Sequence, residues 1–105
     1  MIIGKSYNSE FLYKGWSVMI IKPPFSSTVY VNYWPGIDLD KVKAIEKTDK
    51  VLYDKINSVF GRVKKSITLQ ATGRNPDMGL ILSQAKNYVD RNLGVFDLNE
   101  QLNLI

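Results

Sequence analysis

Apolar and polar residues alternate most clearly in two stretches near the N-terminal third of the chain. Tyr13, Trp16, Val18, Met19, Ile20 and Ile21 crowd the first, and Thr28-Val29-Tyr30-Val31-Asn32-Tyr33-Trp34 forms the second. Both are rich in β-branched and aromatic residues, which predicts strands over residues 15–22 and 28–34. Pro23-Pro24 ends the first because proline has no N–H to give to a ladder, and Pro35-Gly36 closes the second with turn chemistry. The link through Phe25-Ser26-Ser27 is short enough for an antiparallel hairpin. The first ten residues are polar and are expected to be loosely held.

The period then changes. Leu39, Val42, Ile45, Thr48, Leu52, Ile56 and Val59 recur every three or four positions, which places them on one helical face. Asp38 suits the N-cap, Asp40 the first turn, and Gly61 the stop after Phe60. One long helix is expected, although residues 41–45 also alternate and fit a short strand ahead of a helix beginning near Thr48. A third strand is predicted over residues 65–72. The turn Thr72-Gly73-Arg74 leads into Asn75-Pro76-Asp77, a good helix start, and the helix extends to Leu93 with Gly94 ending it. The tail from Val95 alternates near its end, as a final strand would. The order β-β-α-β-α-β corresponds to an α/β chain of the α+β two-layer sandwich type. All 105 residues form a single expected domain, with an N-terminal β-hairpin over 1–36 and an α/β core over 37–105.

Composition narrows the chemistry. Histidine and cysteine are both absent. That removes the usual general base, thiol nucleophiles and the commonest transition-metal ligands, so neither an enzyme nor a cofactor or metal site is expected. Asp38 and Asp40 are better read as cap and dipole partners than as metal ligands. The net charge of +4 is unevenly spread. Between Asp54 and Asp77 there is no acidic residue, while Lys55, Arg62, Lys64, Lys65 and Arg74 all occur. A basic centre of this kind suggests a positive face that meets phosphate; the competing reading is an ordinary solvated surface. No apolar run approaches the roughly 20 residues of a membrane span, and the N-terminus lacks a secretory pattern, so a cytoplasmic location is expected.

The segment from Val63 to Leu93, VKKSITLQATGRNPDMGLILSQAKNYVDRNL, resembles the second strand and second helix of the Alba superfamily of chromatin and RNA-binding proteins. The likeness rests on an alternating strand, the Gly73-Arg74 turn and a helix ending in Val89-Asp90-Arg91. It implies a β-α-β-α-β-β sandwich, usually dimeric, that grips DNA or RNA along a basic surface. Arg74 matches the arginine of the family's Gly-Arg turn and Lys47 its loop lysine. Thr72 stands where many members carry a second basic residue, and the tail after Leu93 is short for the family's C-terminal hairpin.

The turn also has physics of its own. Gly73 permits close backbone approach, the helix start at Asn75 offers unpaired amides to an anion, and Arg74 adds a guanidinium fork suited to phosphate. A plain strand-to-helix turn explains the same residues equally well. Tyr30, Tyr33 and Trp34 are candidates for base stacking, but Tyr33 and Trp34 face opposite sides of a strand, so at least one belongs to the core. The expected function is nucleic-acid binding, to DNA or RNA, with little base preference, through Lys47, Lys50, Lys64, Lys65, Gly73, Arg74 and Asn75. A homodimer is expected. The alternative is a small virus- or mobile-element-encoded inhibitor or adaptor that binds a host protein.

Overall fold

Strand pairing follows the alternation closely. The computed structural model describes residues 7–24, 26–70 and 78–103. Its sheet comprises β1 (Tyr7–Tyr13), β2 (Trp16–Lys22), β3 (Thr28–Pro35) and β4 (Lys65–Gln70), in the order β1-β2-β3-β4. Every pairing is antiparallel. The predicted hairpin is present, with Val18 opposite Tyr33 and Ile20 opposite Val31. The expectation of a loosely held N-terminus is corrected from Tyr7 onward. There the chain forms an edge strand, joined to β2 by the two-residue turn Lys14-Gly15. Both turn residues have positive φ, 51° and 82°, the twist that a two-residue hairpin requires. The strand signal was the half-buried Tyr7, Phe11 and Tyr13 spaced among exposed Asn8 and Glu10.

Because strand side chains alternate, one face of the sheet collects Trp16, Val18, Ile20, Val29, Val31 and Tyr33, all buried. Helix α3 (Met78–Tyr88) contributes Ile81 and Ala85 to the same core, joined by Val89. The Tyr33 ring stacks on Tyr88 at 5.3 Å between centroids. Past Tyr88 the helix widens into one π-helical turn, Val89–Leu93, and stops at Gly94 as expected. The Trp16 indole N–H donates to the Gly94 carbonyl at 2.9 Å, and the Trp16 ring meets Phe96 at 5.2 Å. These contacts tie the β1–β2 turn to the chain beyond α3.

Two expected elements are different. The single long helix is two helices, α1 (Leu39–Thr48) and α2 (Lys50–Val63). Asp49 separates them with φ −147° and ψ 89°, its N–H still bonded to Ile45 and its carboxylate accepting from the Leu52 N–H. The alternative of a short strand at 41–45 is likewise replaced by α1. Helix α2 runs through Gly61, which is not in the left-handed region, and ends at Lys64. The expected final strand is instead the short helix α4 (Leu98–Asn103), started by Asp97, whose carboxylate accepts from the N–H groups of Asn99 and Glu100. A local cap outcompetes alternation here, since a lone terminal strand needs a partner edge. The chain is thus an α+β two-layer fold in which β1 precedes the hairpin, the middle helix is divided and the last strand is replaced by a helix. Among the described residues no helix is long and apolar enough to cross a membrane.

Candidate nucleic-acid interface

The second face of the sheet is built differently from the core face. Along β3 it presents Tyr30, Asn32 and Trp34, and β4 sets Thr68 opposite Tyr30 and Ser66 opposite Asn32. Tyr30 and Trp34 remain 45% and 41% exposed, whereas their neighbour Tyr33 is fully buried on the other side. The sequence expectation that Tyr33 and Trp34 divide between core and surface is therefore met. The Ser66 hydroxyl donates to the Asn32 side-chain oxygen at 2.7 Å, a cross-strand bond that fixes the floor between the two exposed rings.

One lysine borders this face at its end, and the next in sequence lies on the other side. Lys64 caps the C-terminus of α2 and holds its amine 5.6 Å from the centre of the Trp34 ring, a cation–π geometry. Lys65 opens β4 opposite Tyr33. Both lysines are exposed, and neither lies in an ion pair with a described carboxylate. Lys47 and Lys50 lie elsewhere. Lys47 sits in the last turn of α1 and Lys50 begins α2, so the length of α2, about 20 Å at 1.5 Å per residue, separates them from Lys64 and Lys65. Lys50 is also engaged, 3.6 Å from Asp54 and over the Tyr53 ring. Lys64 and Lys65 adjoin in sequence but serve opposite sides of the sheet, Lys64 at Trp34 and Lys65 at Tyr33, and Lys47 and Lys50 lie apart from both. Gly73, Arg74 and Asn75 fall outside the described residues.

Between the open sheet face and helices α1 and α2 lies a groove of about 540 Å³. Met19, Trp34, Val42, Tyr53 and Phe60 supply apolar wall, and Glu10, Ser17, Lys43 and Asn57 supply polar points. The Ser17 hydroxyl donates to the Glu10 carboxylate at 3.1 Å. Sequence reading missed this groove because one continuous helix leaves no break at Asp49 to set α1 and α2 as its second wall. The signal that would have found it was Thr48-Asp49, an N-cap pair inside an otherwise helical stretch.

Other polar constellations serve the fold. The Asp38 carboxylate accepts from the Asp40 N–H at 2.9 Å, the cap role expected of it. No group of three or more His, Cys, Asp or Glu gathers among the described residues. Asp90 pairs with Lys14 and accepts from the Tyr13 phenol at 3.0 Å. Lys14, followed by the phenol, holds the Asp90 carboxyl below the usual carboxylate range. Compared with known protein families, curated proteins and solved structures, the chain matches none.

Proposed function

We propose that this protein binds nucleic acid, holding phosphates at the junction of α2 and β4 beside the open sheet face. One observation carries the reading: Lys64 stands exposed beside a surface aromatic, Trp34, with Lys65 exposed next to it in sequence on the other side of the sheet, and neither forms an ion pair with a described carboxylate. Lysine amines without carboxylate partners attract phosphate oxygens, and release of condensed counterions then drives association. Arg74 belongs to the same reading on its residue type and its place before Asn75-Pro76. Little base specificity is expected, because contacts to phosphate carry no sequence information. Such a role suits a cytoplasmic protein.

A homodimer belongs to the same proposal. The Cα radius of gyration is 16.3 Å, whereas a compact chain of this length has about 13 Å. Leu12 on edge strand β1 is 73% exposed, so a second copy would cover surface that this one leaves in water.

The test is a salt series of fluorescence anisotropy on labelled DNA and RNA. Affinity should fall steeply with salt, and Lys64→Ala and Lys65→Ala should each flatten the log–log slope by about one unit. Absent or salt-insensitive binding to both polymers overturns the proposal and leaves a protein partner as the better reading.

A further inference from the structure

The groove beside Trp34 has a shape and lining that the phosphate contacts do not use. We infer that it receives an unpaired base, stacked on Trp34, so that the nucleic acid bound here is single-stranded; this inference rests on the nucleic-acid reading above.

Three features point to that occupant. Its volume of about 540 Å³ lies within the range of roughly 300–1,000 Å³ typical of small-molecule sites, ample for a heterocycle with its sugar. The lining is largely apolar and aromatic, from Trp34, Tyr53 and Phe60, but includes the Glu10 carboxylate, the Ser17 hydroxyl and the Asn57 amide. A nucleobase has that same division, a π-face to stack and a polar edge to pair with hydrogen-bonding groups. Charge complements the third part of a nucleotide. Lys43 is on the groove lining and Lys64 lies over Trp34, where they can meet the phosphate attached to a stacked base.

A duplex fails this geometry. Its bases are stacked on one another inside the helix, and reaching Trp34 would require unstacking one of them, which costs a few kilocalories per mole. A single strand offers its bases without that cost. The exposed Tyr30 lies four residues from Trp34 on the same face, about 13 Å along the strand at 3.3 Å per residue, and extends the aromatic track past the groove.

Tryptophan fluorescence makes the experiment direct, because the only other tryptophan, Trp16, is buried in the core. A mixed-sequence single-stranded 12-mer and the corresponding blunt duplex, each as DNA and as RNA, are titrated into the full chain at fixed salt. The single strand should quench Trp34 and bind more tightly than the duplex. Trp34→Ala should weaken single-strand binding about 5- to 150-fold while leaving duplex binding unchanged. Trp34→Phe, which keeps a stacking face, should recover most of the loss and controls for folding. Lys64→Ala and Lys65→Ala should lower affinity for both polymers alike. Equal binding of single strand and duplex, with Trp34→Ala at wild-type affinity, overturns the inference while the phosphate reading survives. No binding of either polymer overturns both.

Discussion

Tyr33 and Ala85 are joined by a buried hydrogen bond, the phenol donating to the carbonyl at 2.8 Å across the interface between β3 and α3. It is the point where the sheet grips the helix covering it, and the Tyr33 ring is fully enclosed. Tyr33→Phe keeps the ring and its stacking on Tyr88 but removes the donor. The expected cost is about 1–2 kcal/mol, read as a lower urea midpoint with unchanged slope.

The same phenol makes stability depend on alkaline pH. Burial, with a smaller contribution from Tyr88, pushes its ionisation well above the ordinary value of 10.0. A group whose folded pKa is raised contributes stability that is present below its unfolded value and is lost as pH rises above it. Wild-type stability should therefore decline above about pH 10, and the Tyr33→Phe protein should lack that component. Denaturation midpoints measured from pH 8 to 11 in the two proteins check this.

Asp90 sets the opposite dependence. Its pairing with Lys14 and its bond from Tyr13 lower the carboxyl pKa below 3.8, so its contribution is present at neutral pH and lost as pH falls through the lowered value. Asp90→Asn should melt below wild type at pH 7, and the gap should close as the solution is acidified through the lowered carboxyl pKa. A gap that persists unchanged in acid would show that packing, not charge, accounts for the loss.

Two glycines distinguish conformational cost from crowding. Gly94 has φ 69° and ψ −168°, a region essentially limited to glycine, with open space where a Cβ would stand. Gly94→Ala and Gly94→Asn should both cost about 1–3 kcal/mol, since this is not the left-handed helical region asparagine tolerates. At Gly15 (φ 82°) a Cβ would also lie 2.6 Å from the Phe96 carbonyl oxygen. Gly15→Ala should lower the melting temperature more than either Gly94 variant does.

Sedimentation addresses assembly. At micromolar concentration the protein should sediment at about twice its 12.0 kDa chain mass. Leu12→Lys on the outer strand should shift the equilibrium toward the monomer, as charge on an edge strand opposes pairing. A wild-type monomer persisting at high concentration would count against the dimer.

The central strands, the stop at Gly94 and the division of Tyr33 from Trp34 were all legible from residue order. Each depends on a local rule: alternation sets the two faces of a strand, proline ends a ladder, and glycine takes the backbone angles other residues avoid. By itself the sequence therefore determined an α+β sandwich and a basic centre around Lys64 and Lys65. The break at Asp49 and the helical C-terminus were less legible, because there periodicity competed with cap signals and each reading was locally acceptable. Only tertiary structure decided that α1 and α2 fold back beside the second sheet face and that Lys64 reaches the Trp34 ring across the α2–β4 junction. Which residues share a groove depends on how elements separated in sequence come together. That is set by the net free energy of packing, a sum over many weak contacts that no short window of the chain contains.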